Sequence, residues 1–334
     1  MARRRASAWP WVNPFALPGF GSAPFATVAR SVAGTQKRVL RAAARQAAPP
    51  RGPGHWLPGL AVAPGGLRAY HVYRPPGIVF GERLPVLVML HGCHQDAKAF
   101  AVSTRMNTLA ARERFLVLYP EQDRRANAQG CWNWFETRSG QAQREAQIVM
   151  AAVQQVCLLQ GGDPERVAVA GLSAGASLAA LVATRYPERI RAVAMHSGVP
   201  PGTASSGATA LRAMRGGQLP EGVTDGAHWP PLLVIHGAAD AVVSSRNAAT
   251  TAQWWADAAG GTAAAPRAVQ RGQRHPMTVT DYKRGGRTVA SLCEVATLGH
   301  AWSGGAARRP FSDAKGPDAS RLVWSFAARQ FAAG

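Results

Sequence analysis

The chain has 334 residues, 47% of them hydrophobic, so it is long enough for one large domain with extensions or for two small domains. No run of about 18 apolar residues occurs, which argues against a membrane-spanning helix. The net charge is +20, but the basic residues are scattered and no nucleic-acid motif accompanies them, so we expect no specific nucleic-acid binding.

Residues 1–55 differ from the rest of the chain because they are basic and contain neither Asp nor Glu. Within them, Thr35–Ala48 could form a basic helix, and the breaker-rich linker Pro49–Gly54 follows. We expect a disordered tail, with a surface anchor for an anionic polymer or a membrane as the alternative. The charged start lacks the apolar segment of a signal peptide because prolines interrupt it from Pro10 onward.

Residues 56–334 predict a single catalytic domain that begins with an antiparallel hairpin over Leu60–Tyr73. Short apolar runs without alternation follow, as is typical of parallel strands covered on both faces. These runs are Val86–Leu90, Phe115–Tyr119, Val167–Ala170, Ala192–Met195 and Leu232–His236. Helical patterns lie between them at Thr104–Arg112, Glu145–Leu159 and Ala174–Arg185. This alternation predicts an α/β fold with a doubly wound, mostly parallel sheet, and Met277–Thr297 reads as a second hairpin.

The segment Gly171–Gly175 has the pattern G-x-S-x-G and lies between a predicted strand and a predicted helix. That context is the one in which a nucleophile elbow occurs, with Ser173 as the nucleophile. The serine must occupy a sharp, strained turn, and glycines on both sides leave room for it. The turn also directs the amino terminus of the following helix at developing negative charge. An ordinary tight turn is the alternative.

A serine hydroxyl needs a base, and in this type of fold the acid and then the histidine follow the nucleophile along the chain. Asp240 follows the apolar run that ends at His236, and His300 follows the last predicted strand, Ser291–Leu298. Because all three groups lie at strand carboxyl ends, we expect them to form a catalytic triad. The competing acids and histidines that we set aside are Asp225, Asp257, Asp281, Asp313, His91, His196 and His236.

An oxyanion hole requires two backbone N–H groups. One is expected from Ala174, directly after the nucleophile, and the other from the loop that follows the strand ending at Leu90. Gly92 allows close backbone approach in that loop, so the amide of Cys93 is the candidate for the second donor. A plain strand-ending turn is the alternative.

Several short motifs together resemble the polyhydroxybutyrate depolymerase-type esterases, over about residues 57–331. The motifs are L-H-G-C-H-Q at 90–95, T-R-M-N at 104–107, Y-P-E-Q at 119–122, C-W-N-W-F at 131–135, A-G-L-S-A-G at 170–175, H-S-G at 196–198 and G-H-A-W-S-G-G at 299–305. The resemblance implies an α/β-hydrolase fold, acyl transfer through a serine ester, and neither a metal nor an organic cofactor.

Position by position, Ser173, Asp240 and His300 match the nucleophile, acid and base of this family. Cys93 matches a cysteine of the oxyanion loop that is often bridged to the one matching Cys131. The resemblance therefore implies a Cys93–Cys131 disulfide, which would fit an oxidising compartment. Two reduced thiols are the alternative.

The same resemblance implies that the aromatic side chains of Trp134 and Trp302 lie near the mouth of the site, where they would suit an ester chain with apolar branches. Trp302 is the preferred substrate contact because it is two residues from His300, and Trp134 is the second candidate. Core packing is the alternative for Trp134. Cys157 and Cys293 are expected to be buried free thiols.

The resulting hypothesis is a serine esterase that hydrolyses short-chain poly(3-hydroxybutyrate) or other hydroxyalkanoate oligomers through an acyl-enzyme. A feruloyl or acetyl esterase acting on plant polysaccharide is the alternative, and a non-catalytic protein that binds polymer granules or nucleic acid is a remote one. Secreted polymer degraders of this family usually carry a separate polymer-binding domain after the catalytic one. This chain stops at Gly334, soon after the predicted catalytic domain, so we expect soluble oligomers as the substrate. The family implies an extracellular or periplasmic location, with the cytoplasm as the alternative, and the oligomeric state is left open.

Overall fold

The computed structural model describes Pro50, residues 52–220 and residues 228–333. The predicted helix Thr35–Ala48, nearly all of the predicted tail and the competing acid Asp225 lie outside the described residues. The chain divides into the units Met1–Pro49 and Pro50–Gly334, and the description below concerns the second unit.

A single large sheet dominates the described residues. Its strands run in the order β1-β2-β4-β3-β5-β6-β7-β11-β10-β8, with β9 also paired to β10, while β12 and β13 form a separate pair. The strands are β1 (His55–Ala63), β2 (Gly66–Arg74), β3 (Leu84–Leu90), β4 (Leu116–Pro120), β5 (Gly162–Leu172), β6 (Ala192–His196), β7 (Leu232–Gly237), β8 (Thr262–Ala263), β9 (Arg267–Val269), β10 (Met277–Arg284), β11 (Arg287–Val295), β12 (Trp302–Ser303) and β13 (Ser312–Asp313). Six neighbouring strands in the middle of the sheet are parallel, namely β4, β3, β5, β6, β7 and β11. The hairpins β1–β2 and β10–β11 on either side are antiparallel.

Seven helices connect these strands within the described residues. They are α1 (Ala97–Thr104), α2 (Met106–Glu113), α3 (Gln141–Leu159), α4 (Ala174–Arg185), α5 (Gly207–Met214), α6 (Arg246–Ala258) and α7 (Ala319–Ala332). The helix predicted over Thr104–Arg112 is instead α2, because Arg105 adopts a left-handed conformation (φ 56°) that ends α1 one residue before α2 begins. No helix in this part of the chain is long and apolar enough to cross a membrane.

The helices cover both faces of the sheet, as the doubly wound prediction requires. Alternate residues of the fully buried β3 point to opposite faces, so that Val86 and Val88 pack in one core and Leu87 and Met89 in the other. Helices α3, α4 and α6 contribute to the first core, and α1, α2 and α7 contribute to the second. The prediction of a mostly parallel sheet that begins with an antiparallel hairpin is therefore confirmed.

Candidate active site

Ser173 occupies the sharp turn between β5 and α4. Its backbone has φ 56° and ψ −122°, a conformation that costs free energy for any residue other than glycine. A Cβ on Gly171 would collide with the backbone of Gly175, and a Cβ on Gly175 would collide with the carbonyl of Leu90. Both glycines are thus required by the close approach of backbone to backbone, which is the physical basis of the pattern.

The backbone of Ser173 is fixed, but its hydroxyl is free. The Ser173 amide donates to the carbonyl of His196 at 2.9 Å, and the Ser173 carbonyl accepts from the amides of Ala176 and Ser177. Within the described residues, Ser173 Oγ has no hydrogen-bond partner, and it lines an open cleft. The hydroxyl is therefore available to a substrate, and a hydrogen bond to a base would form only with some adjustment, as is common in unliganded sites.

Asp240 and His300 form a hydrogen-bonded pair at the carboxyl ends of β7 and β11. The distance from His300 Nδ1 to Asp240 Oδ2 is 2.8 Å. The Asp240 side chain is fully buried, and that of His300 is 10% exposed. Because an ionised carboxylate only accepts hydrogen bonds, Nδ1 of His300 carries the proton and Nε2 is left to accept another.

The environment keeps Asp240 ionised. Burial by itself would raise the pKa of this carboxyl group, but the hydrogen bond and charge of His300 and the amides of Val242 and Val243 outweigh it. The pKa of Asp240 is therefore below its ordinary value of 3.8. The carboxylate therefore carries its negative charge beside His300.

Two further histidines lie beside this pair and remain neutral. Burial, followed by the charges of His236 and His300, lowers the pKa of His196 to about 3. Burial also lowers the pKa of His236. His196 Nε2 accepts a hydrogen bond from the amide of Ser303 at 3.1 Å, and His236 Nε2 lies 2.9 Å from the carbonyl of Val243. Both rings are held by these contacts in the interior.

The two amides expected to form an oxyanion hole both border the cleft. Ala174 begins α4, where the first N–H groups of a helix have no partner within the helix. Neither the amide of Ala174 nor that of Cys93 donates to an acceptor among the described residues. A Cβ on Gly92 would lie 3.5 Å from the Cβ of Ser173, which brings the Cys93 loop against the nucleophile.

A disulfide joins Cys93 to Cys131, as the family resemblance implied, and Cys157 and Cys293 are buried free thiols. The bridge links the loop after β3 to the C-W-N-W-F segment, Cys131–Phe135. Both cysteines line the cleft together with Ser173. The disulfide therefore ties two walls of the cleft to each other.

A buried carboxylate that the sequence analysis missed supports the Cys131–Phe135 segment. Glu145 in α3 is fully buried and accepts hydrogen bonds from the Asn133 amide at 2.7 Å, from Asn133 Nδ2 at 2.8 Å and from Gln122 Nε2 at 2.7 Å. The guanidinium of Arg68 lies 3.5 Å away. The signal that could have revealed it is an acidic residue on the face of the helix that also carries Ala142 and Val149.

The cleft beside Ser173 has a volume of about 250 Å³ and mostly apolar walls. Trp134 and Phe135 form one wall, and α5 contributes to the lining through Ala210, Leu211 and Met214. This volume is below the roughly 300–1,000 Å³ of pockets that hold drug-sized ligands, so the cleft suits a small acyl group.

Trp302 does not contact this cleft, which corrects our preference for it as the substrate-binding residue. Its side chain is fully buried, stacks on His196 with a ring separation of 5.1 Å, and donates its indole N–H to Ser320 Oγ at 3.1 Å. The pairing of β12 with β13 turns the residue into the core although it is close to His300 in sequence. Trp134, the second candidate, lines the cleft.

A larger groove of about 860 Å³ lies at the amino ends of β6, β7 and β11, and none of the predicted site residues lines it. The parallel strands place their carboxyl ends, and hence Ser173, at the opposite edge of the sheet. The smaller cleft is thus the candidate active site. The described residues contain no group of three or more His, Cys, Asp or Glu side chains placed to hold a metal ion.

Comparison with known sequences and structures gives a consistent set of relatives. A family profile described as "Esterase PHB depolymerase" matches residues 68–273, which include Ser173 and Asp240 but not His300. Poly(3-hydroxyalkanoate) depolymerase C of Paucimonas lemoignei is 32% identical over 197 residues, which cover 55% of this chain and 46% of that protein. Acetylxylan esterase A of Emericella nidulans is 24% identical over 223 residues, covering 60% of this chain and 70% of that protein.

The chain thus spans about half of the length of the depolymerase that it matches. Among solved structures, an acetyl xylan esterase from Aspergillus awamori has a TM-score of 0.56 at 19% identity and covers 75% of this chain and 94% of that chain. A dienelactone hydrolase-like phosphotriesterase from metagenomic libraries has a TM-score of 0.54 at 15% identity, with coverages of 84% and 99%. At this level of identity the likeness concerns the fold alone, and it confirms the α/β-hydrolase fold.

Proposed function

Because the chain belongs to the esterase PHB depolymerase family, we propose that it is a serine carboxylesterase with Ser173 as nucleophile, His300 as base and Asp240 as the orienting acid. The observation that carries this proposal is a free serine hydroxyl on a strained turn, in a cleft bordered by two unused amides. The hydrogen-bonded pair of His300 and Asp240 lies at the same edge of the sheet. These are the groups that acyl transfer requires.

In the proposed reaction, Ser173 Oγ attacks the ester carbonyl carbon while Nε2 of His300 takes the hydroxyl proton. The amides of Cys93 and Ala174 stabilise the oxyanion, and the imidazolium then gives its proton to the departing alkoxide, which leaves as the alcohol. A water molecule, deprotonated by His300, next attacks the acyl-serine. The bond to Ser173 Oγ then breaks as the imidazolium returns its proton to that oxygen, which releases the carboxylic acid and restores the free hydroxyl. Asp240 fixes the tautomer of His300 and stabilises its positive charge throughout.

We propose short-chain 3-hydroxyalkanoate esters as the substrate class. The apolar cleft suits a short branched acyl group, with Trp134 as a flat contact surface, and the related depolymerase is named for a polyester of this kind. A second candidate, deacetylation of a polysaccharide, is favoured by the acetylxylan esterase relatives and by the small cleft. Rates on hydroxybutyrate trimer, acetylated xylan and methyl ferulate, measured side by side, would separate these substrates.

The proposed location is an oxidising compartment, either the periplasm or the extracellular space. The Cys93–Cys131 disulfide supports it because structural disulfides rarely persist in the reducing cytosol.

The test of the proposed activity is Ser173→Ala, assayed with p-nitrophenyl butyrate. We expect kcat to fall by about 10⁴-fold or more because the nucleophile is lost. The thermal midpoint should not change, because Gly171 and Gly175, which make room for the turn, stay in place. A fluorophosphonate probe should label the wild-type protein on the peptide containing residue 173 and should not label the variant. Ser325→Ala, at an exposed position of α7, is the control. Equal hydrolysis by wild type and Ser173→Ala would refute the assignment.

A further inference from the structure

The carboxylate of Asp240 has one neighbour that the proposed mechanism does not use. Oδ1 accepts hydrogen bonds from the amides of Val242 and Val243, both at 2.9 Å, and Oδ2 accepts from His300. Nε2 of His236 lies 3.4 Å from the same Oδ2, and the side chains of His236 and Asp240 are both fully buried. The carboxylate is therefore hydrogen-bonded to His300 and to two amides, and the ring of His236 packs against it.

The protonation of His236 follows from its contacts. A backbone carbonyl only accepts hydrogen bonds, so the 2.9 Å approach of Nε2 to the carbonyl of Val243 places the proton on Nε2. Nδ1 of the same ring is buried and has no partner in the described part of the chain. A proton on Nδ1 would be a buried donor without an acceptor, which is costly. The ring is thus neutral, with its one N–H donated to Val243 and its Nε2 in contact with Asp240 Oδ2 at 3.4 Å.

A neutral donor is suited to this position. Three titratable groups face Asp240: His236 from β7, His300 from the loop after β11, and His196 from β6. A positive charge on His236 would oppose the imidazolium that His300 must become, because the two rings repel when both are charged. A neutral N–H orients the carboxylate without adding that repulsion.

We propose that His236 is a positioning residue that holds the carboxylate of Asp240 against His300. The inference rests on the proposed function of the triad and adds a fourth member to it. His236 lies in β7, four residues before Asp240. The N–H of His236 donates to Val243 and so ties the end of β7 to the turn at residues 241–243, whose amides bind Asp240 Oδ1. The ring also packs against Oδ2 and limits its movement. The expected consequence is a firmer Asp240–His300 hydrogen bond than the triad would have without it.

The test compares His236→Leu with His236→Gln. Leucine fills the volume without a donor, whereas the amide nitrogen of glutamine can occupy the place of Nε2. We expect His236→Leu to lower kcat about tenfold with KM unchanged, about the upper end of the value of one hydrogen bond between neutral groups, here the bond that fixes the turn behind the carboxylate. The acid limb of the kcat/KM profile should move to lower pH, because a carboxylate that is less firmly held stabilises the His300 imidazolium less. His236→Gln should restore both. The control is His71→Leu, which removes a partly buried imidazole of β2 away from the cleft.

Nitrogen NMR of histidine-labelled protein provides a readout that does not depend on activity. The wild type should show His236 as the Nε2–H tautomer from pH 5 to 8, and the titration of His300 should shift in His236→Leu. The proposal is overturned by an Nδ1–H tautomer or a titrating His236 in the wild type, or by a folded His236→Leu with unchanged kcat and an unchanged His300 titration. If His236→Leu does not fold, the wild-type tautomer and the His236→Gln profile decide.

The proposed function and this inference can fail separately. Undiminished hydrolysis by Ser173→Ala would end the first, while the NMR titration would still report whether His236 holds Asp240 against His300.

Discussion

Replacing Glu145 with alanine tests how far the buried polar network stabilises the wall of the cleft. The change removes the acceptor of four donors, namely the backbone amide of Asn133 and the side-chain amides of Asn133, Gln122 and Gln141. It also leaves Arg68, whose side chain is only 6% exposed, without its carboxylate. Breaking a buried pair in this way costs about 3–5 kcal/mol. For a domain of this size, that corresponds to a thermal midpoint lower by roughly 5–15 °C.

Glu145→Gln provides the matched comparison. It keeps the volume and one acceptor oxygen but places an N–H group against the Asn133 amide, so we expect a loss of about 1–3 kcal/mol, smaller than that of alanine. Glu165→Ala removes an exposed carboxylate whose side chain is 74% accessible and paired with Arg191, and should cost less than about 1 kcal/mol.

Urea unfolding and calorimetry measure these differences, and the KM for p-nitrophenyl butyrate reports on the cleft wall. We expect KM to rise in Glu145→Ala because Asn133 lies beside Trp134, which lines the cleft. A destabilisation by Glu145→Ala no larger than that of Glu165→Ala would refute the reasoning that the network is needed.

Two further predictions concern acid and redox conditions. His91 accepts a hydrogen bond from the Gln122 amide, and burial lowers its pKa to about 4. The unfolded chain protonates below pH 6.5 and the folded chain does not, so stability is lost as the pH falls from 6.5 toward 4. Between pH 7 and 5 this amounts to about 2 kcal/mol, and urea unfolding of His91→Gln, which lacks the titrating ring, should show that much less acid sensitivity; equal slopes would contradict it. Removing the disulfide with Cys93→Ala and Cys131→Ala together should cost about 4 kcal/mol, since it closes a loop of 38 residues, and should lower kcat by loosening an oxyanion donor; an unchanged melting temperature would contradict it.

The features that could be predicted from the sequence are those in which a local pattern has one physical solution. The glycines around Ser173 require a turn in which backbone approaches backbone, and the preceding apolar run requires a buried strand. Asp240 and His300 follow from the same logic, because strand ends in a parallel sheet meet at one edge. Their hydrogen bond is a consequence of that topology.

The direction of a side chain could not be predicted in the same way. Trp302 is two residues from His300, yet the pairing of β12 with β13 turns it into the core. The start of α2 at Met106 and not at Thr104 has a similar origin, since a left-handed residue other than glycine, here Arg105, leaves little trace in composition.

The sequence analysis also missed the part of the cleft wall that α5 forms. Helix α5 is short, and its three lining side chains, Ala210, Leu211 and Met214, are ordinary apolar residues that carry no chemical signature. Its capping box between Ser206 and Thr209 is visible in the sequence but predicts only where a helix begins. Which helix closes over the nucleophile depends on the three-dimensional path of the chain.

The cleft wall formed by α5 and the predicted catalytic residues lie on different elements, which has an evolutionary consequence. Helix α5 forms part of the cleft proposed to receive the acyl group, yet its lining residues are apolar and take no part in the proposed chemistry, and its own cap fixes its start. We therefore expect exchange of Leu211 or Met214 for smaller or larger residues to change which ester is accepted while Ser173 stays in place. A mutant library restricted to residues 207–214 should alter the relative rates on hydroxybutyrate and acetyl esters without any change to the proposed triad.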